Sequence, residues 1–255
     1  AFIQNSQGTA DTRYSGRKNI NTTLTSNNDY ILHNTAKGGG ILTLDYSKFN
    51  ETDQNFRDED NNWTVAEYNN DNKDNAALDV HWGTEVVYDY WLSQHGRNSF
   101  DNRGAELKSY VHFTRNGQEV DNAYWDNNLK AMIYGDGNLR FDALVSLDII
   151  AHELGHAITD NTTKLVYARE SGALNEGFSD IWAAAVEYYN NGNVLNENVW
   201  IIGESISNRG LRSMKNPSAF RHPTTYKGRN WIDTSENACK TPTSDSAPGG
   251  NDFCG

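Results

Sequence analysis

Two histidines and two glutamates carry the strongest chemical signal in this chain: His152-Glu153-Leu154-Gly155-His156, followed by Glu176. A spacing of four residues puts both imidazoles on one face of a helix, one turn apart. Neutral imidazole is the commonest zinc ligand, and a carboxylate can supply a third bond. Three protein ligands leave the fourth tetrahedral position to water, which marks a catalytic zinc rather than a structural one. Glu153 lies beside that position and can take the water's proton. The chemistry implied is metal-assisted hydrolysis.

The same string also arises by chance on ordinary helices, so the elements around it decide. Ile150, Leu154, Ala157 and Ile158 recur at helical spacing opposite the histidines. That helix therefore packs on one side and presents Asp148, His152 and His156 on the other. A second helical pattern starts at Gly172-Ala173-Leu174-Asn175-Glu176, with Leu174, Phe178, Ile181, Trp182, Ala185 and Tyr189 as its apolar face. Glu176, Asp180 and Glu187 fall on the opposite stripe. An acidic stripe is usually a solvated face. Here apolar runs flank both helices, and an enclosed stripe of carboxylates needs cations or donors to offset its desolvation. Asp180, one turn beyond Glu176, can hold the free ring nitrogen of a zinc-bound histidine.

The rest of the chain must position these helices. Before about residue 140, short alternating runs such as Ile41-Leu42-Thr43-Leu44 and Tyr110-Val111-His112-Phe113 read as strands separated by Gly- and Asn-rich turns. Residues 77 to 94 are the exception and read as a helix. From about Val145 onward the patterns are helical. The expected fold is α+β, with a β-rich N-terminal domain over residues 1–145 and a helical C-terminal domain over 146–255. The zinc helix and an active-site cleft lie between them.

With 255 residues the chain can bury a sizeable core, and its net charge of −12 offers no basic stripe for nucleic acid. No run of about eighteen apolar residues spans a membrane. The first residues do not read as a signal peptide. Cys239 and Cys254 bracket the Ser/Pro/Gly-rich segment from Thr241 to Gly250 and read as a disulfide-closed loop. Two free thiols, or pairing with a residue outside this chain, are the alternatives.

Together these residues resemble the thermolysin-like (gluzincin) zinc endopeptidases. That family reads His-Glu-x-x-His, then nineteen residues, then Glu in an Asn-Glu-x-x-Ser-Asp context, and residues 157 to 175 make that gap here. Lys18-Asn19-Ile20-Asn21-Thr22-Thr23, Asp79-Val80-His81, Val87-Tyr88-Asp89-Tyr90, Asn122-Ala123-Tyr124-Trp125, Tyr134-Gly135-Asp136-Gly137 and Leu211-Arg212-Ser213-Met214 match family landmarks in order. A metzincin is excluded, because no third histidine follows at the required spacing. The resemblance implies an endopeptidase acting on proteins or peptides, with a preference for bulky apolar residues on the primed side. It implies Glu153 and Tyr167 as catalytic groups, the latter as an oxyanion donor. Asn122, Ala123 and Trp125 would bind substrate on an edge strand, and Arg212 would contact a substrate carbonyl. Asn175 and Asp180 would orient the histidines. Calcium is expected at Asp148, Glu187 and Glu204, with one ion rather than two, because residues 190–200 depart from the double-site pattern. The resemblance also implies a secreted, extracellular protein whose propeptide precedes Ala1.

The family places a further histidine across the cleft, in a Val-His-x-Asn-Ser context, and this sequence stops where that stretch would begin. Asp252 stands at the position of the aspartate that would orient it. The expectation is that the C-terminal part of the helical domain is missing or is carried as a separate segment. The alternative to a full peptidase is therefore a catalytically weak, metal-binding fragment.

Overall fold

The computed structural model describes residues 4–232, and the structural statements below concern those residues. Asp252 and the pair Cys239 and Cys254 lie outside them. The chain begins with a hairpin of β1 (Gln4–Asp11) and β2 (Arg17–Leu24), followed by the short strands β3 (Tyr30–Ile31) and β4 (His33–Asn34) and then β5 (Ile41–Asp45). Next come β6 (Arg57–Asp58), β7 (Asn62–Trp63), a single turn α1 (Val65–Tyr68) and the long helix α2 (Asn75–His95). Strands β8 (Leu107–Arg115), β9 (Gln118–Glu119), β10 (Ala123–Asp126) and β11 (Ala131–Gly135) follow. Two helices, α3 (Leu147–Asn161) and α4 (Arg169–Asn190), precede the small pair β12 (Ile201–Ile202) and β13 (Arg212–Ser213). The fold is α+β.

The first sheet runs β6-β3-β2-β1-β7 and the second β10-β11-β8-β5-β4. In the second sheet β5 and β8 are parallel, which requires a crossover. That crossover contains α2, buried along most of its length from Asn75 to Trp91. Its end is set by Gly96, at φ 62°, whose amide donates back to Leu92. Strand β10 pairs antiparallel with β11 on one side and forms the sheet edge on the other. Helix α3 packs against both α2 and β10, which brings it to that edge. No helix among the described residues is long and apolar enough to cross a membrane.

Helices α3 and α4 run antiparallel: Asp148 lies near Glu187, His152 near Asp180, and His156 near Asn175. Their approach is close. A Cβ added at Gly155 would sit 3.0 Å from Ser179 Cα, so a larger residue there would push the helices apart. The expected apolar face of α4 is buried only in part. Trp182, Ala185 and Tyr189 pack against the core, but Leu174, Phe178 and Ile181 are 54%, 40% and 47% exposed. The buried residues of α4 are instead mostly small or polar: Gly172, Asn175, Ser179, Asp180, Ala183, Ala184 and Val186. A correction concerns the chain beyond α4, which is not continuously helical among the described residues. Positive φ at Gly203 and Gly210 accompanies its return as the β12–β13 pair.

Candidate active site

His152 and His156 sit one turn apart on α3, each with one ring nitrogen held by α4. His152 Nδ1 donates to Asp180 Oδ1 at 2.8 Å, and His156 Nδ1 donates to Asn175 Oδ1 at 2.7 Å. Ser179 Oγ adds a contact to His156 Nδ1 at 3.2 Å. With the proton on Nδ1, each Nε2 presents a lone pair. Those two Nε2 atoms lie 3.0 Å apart, with Glu176 Oε2 3.1 Å from the first and Oε1 3.5 Å from the second. Three electron-rich groups converging in this way repel one another unless a cation lies between them. A tetrahedral zinc with bonds of about 2.0–2.1 Å would separate its ligand atoms by roughly 3.3 Å, so the donor set fits.

The electrostatics favour positive charge at the same point. Burial opposes charge on His152, but Asp180 and Glu176 outweigh it and push its pKa up to about 10. Burial would likewise raise the Asp180 carboxyl, yet Arg212 and His152 hold it well below the usual carboxylate range. Arg212, on β13, donates from Nε and Nη2 to the two Asp180 oxygens at 2.7 Å each. It stands behind the ligand shell through Asp180. Glu153 is buried within reach of both histidines' charge, and its Oε2 has no hydrogen-bond partner among the described residues. Burial raises its pKa, although the neighbouring histidines pull it down. A carboxylate held this way, with a free oxygen, is suited to accept a proton.

Tyr167, just before α4, donates its hydroxyl to Glu176 Oε1 and sets its ring edge-on to His156 at 5.8 Å. It is half exposed. Ala123 lies on edge strand β10, opposite Tyr134, and Asn122 immediately precedes it with its carbonyl accepting from the Gly135 amide. Trp125, also on β10, packs its ring against Phe100 at 5.0 Å. Ser179 is a contact that sequence reasoning missed. Its signal was available, since it lies four residues after Asn175 on the same stripe of α4.

Farther along the two helices, toward the start of α3, ligand oxygens of Asp148, Glu187 and Glu204 gather within 4.8 Å. Asp148 is buried and accepts from Ser146 Oγ and from the Ile149 and Gly203 amides. Glu204 Oε2 is buried without a partner among the described residues. Burial, then the neighbouring carboxylates, push Glu187 up to about 9 and Glu204 to about 7. Crowded hard oxygens of this kind fit calcium. A second acidic group gathers Asp58, Glu59 and Glu67, where Asp58 accepts from the Asn62 amide and Glu67 from the Thr64 amide.

Comparison with known proteins gives the family. The family model for the thermolysin metallopeptidase catalytic domain matches residues 7–160, and that for its alpha-helical domain matches residues 163–244. Bacillolysin of Bacillus cereus is 38% identical over 233 residues, 88% of this chain and 38% of that protein. Thermolysin of Alicyclobacillus acidocaldarius is 39% identical over 223 residues, 84% of this chain and 38% of that protein. Among solved structures, the precursor of protealysin, a metalloproteinase from Serratia proteamaculans, aligns with a TM-score of 0.55 at 26% identity. That alignment covers 79% of this chain and 61% of the other. The chain thus spans 38% of the length of the two curated relatives.

Proposed function

The chain belongs to the thermolysin metallopeptidase family, and from that premise we propose that it hydrolyses internal peptide bonds with zinc held by His152, His156 and Glu176. The observation that carries the reading is the convergence of two Nε2 lone pairs and a carboxylate beside the partnerless oxygen of Glu153. Zinc bound there supplies Lewis acidity toward a carbonyl and toward water. Glu153 accepts the proton of the attacking water and returns it to the leaving nitrogen. Tyr167 donates to the oxygen that gains charge. Asn175 and Asp180 fix the tautomer and orientation of the histidines, and Arg212 anchors Asp180 while facing substrate. Extended substrate adds to the edge of β10 through Asn122 and Ala123, on the strand that carries Trp125.

Removing zinc with a selective chelator is expected to stop casein cleavage, and added zinc to restore it. Cleavage that continues without metal would remove the reading.

Family resemblance supports the finer parts of the proposal. These are bulky apolar residues on the primed side of the scissile bond, secretion with a propeptide, and a division into residues 1–145 and 146–255. Calcium at Asp148, Glu187 and Glu204 offsets their mutual repulsion and ties α3, α4 and the segment before β13 together. At a calcium concentration a hundred times its dissociation constant, this ion stabilises the fold by about 2.7 kcal/mol. A calcium-selective chelator should therefore lower the melting temperature by several degrees, while Glu187→Gln abolishes that response. An unchanged melting temperature would argue against structural calcium.

A further inference from the structure

Strand β8 contains a break that a uniform strand would not need. It pairs Tyr110 with Ile133 and Phe113 with Gly135 of β11, so Val111 and His112 together oppose Tyr134. This is a β-bulge, a device that re-aims a side chain. His112 has φ 64°, in the left-handed region that glycine fills most easily. A buried histidine is held there instead, and its ring faces acid on both sides. Nδ1 lies 2.9 Å from each oxygen of Asp136, and Nε2 lies 3.2 Å from Asp74 Oδ1. Nε2 makes no hydrogen bond among the described residues, so its tie to Asp74 is an ion pair, and carboxylates beside both ring nitrogens favour the imidazolium.

One ring therefore joins three elements: β8, the start of α2 at Asp74, and the turn after β11 at Asp136. The other charges around it come from each neighbour. Asp45, at the end of β5, adds negative potential, and Lys48 just beyond it pairs with Asp45 at 3.2 Å. Lys73, before α2, donates to the Asp136 carbonyl at 2.7 Å and pairs with Asp142 at 3.2 Å, and Arg13 also binds Asp142. Burial opposes the charge on His112, but Asp136 and Asp74 push its pKa up to about 9.

The turn this ring holds also supports the substrate edge. Asp136 directly follows Gly135, whose amide donates to the Asn122 carbonyl at 2.9 Å and whose carbonyl accepts from the Leu144 amide at 3.0 Å. Strand β11 in turn carries β10, with Tyr134 opposite Ala123. We propose that His112, as an imidazolium seated in the β8 bulge, is a positioning residue. It clamps the Gly135–Asp136 turn and so fixes the edge of β10 on which substrate pairs. The substrate part of this inference rests on the peptidase reading above; the clamp itself does not.

The sign of the pH effect follows from the raised pKa. The contribution of the clamp is complete below the unfolded value of 6.5 and is lost as pH rises through about 9. The test follows three quantities across that range in the whole protein: the His112 ring by NMR titration, Gly135 amide exchange corrected for intrinsic rate, and KM for a peptide substrate. The ring should titrate near 9, with Gly135 exchange and KM rising in step while kcat at saturation changes less. His112→Gly, which relieves the backbone but removes the ring, should raise KM at neutral pH by roughly five-fold with zinc retained, and should flatten the alkaline rise. Unchanged KM and exchange in His112→Gly would overturn the proposal, because the bulge would then need only a left-handed residue. If that variant fails to fold, the titration of the native protein decides: a ring titrating near 6.5, or Gly135 exchange flat in pH, overturns the clamp. Absence of any cleavage by the native protein would count against the peptidase reading, while the ring and exchange measurements still decide the clamp.

Discussion

Glu153→Gln is expected to lower kcat about a hundred- to ten-thousand-fold, the range supplied by a positioned general base, and to leave zinc bound. The substitution keeps the volume of the side chain and its place on α3, so packing along that helix is preserved. It removes only the ability to accept a proton. Stability should move the other way. Glu153 is buried, its Oε2 has no partner among the described residues, and burial raises its pKa. A neutral amide relieves that desolvation, so the variant should melt at the same temperature or slightly higher. Loss of activity together with loss of zinc would instead mean that Glu153 supports the metal.

Asp180→Ala should be the most destabilising single change at this site. Asp180 accepts both hydrogen bonds from Arg212 and the one from His152 Nδ1. Without it a guanidinium and a ring N–H are left with no acceptor. Breaking one side of a buried pair costs about 3–5 kcal/mol. Losing the partner that orients a histidine ligand weakens metal binding about 10- to 100-fold. Asp180→Asn keeps an acceptor for His152 and loses the charge opposite Arg212, so it should retain more zinc than the alanine variant while still melting lower. The depressed pKa of Asp180 fixes the sign of the acid response. Its stabilisation is present above the unfolded value of 3.8 and is lost as pH falls through its native value. Denaturation and zinc competition measured on the three proteins test this order.

The chemistry of the centre was legible because it is local. His152 and His156 on one helix, and Glu176 and Asp180 on another, are each one turn apart, and helical periodicity places them without knowledge of the fold. The strands around Ile41 and Tyr110, and the helix spanning residues 77 to 94, were readable for the same reason. Residues that meet only through tertiary packing were not. Leu174, Phe178 and Ile181 follow an amphipathic pattern, but the α3–α4 crossing is set by Gly155 and Ser179, whose small size carries no hydrophobic signal. The return of the chain at β12 and β13 depends on two glycine turns and two-residue strands, too short for periodicity to register. The bulge at His112 is a property of two strands, and Tyr110-Val111-His112-Phe113 alone reads as regular. The proposed pairing of Cys239 with Cys254, and the place of Asp252, lie outside the described residues.

The central claim is that His152, His156 and Glu176 hold a zinc beside a base, Glu153. Zinc content and casein cleavage, measured on the same preparations of native protein, metal-stripped protein and Glu153→Gln, test it most directly. The account predicts zinc and cleavage together in the native protein, neither after stripping, and zinc without cleavage in Glu153→Gln. Cleavage by the stripped protein, or undiminished cleavage by the zinc-loaded variant, would contradict it.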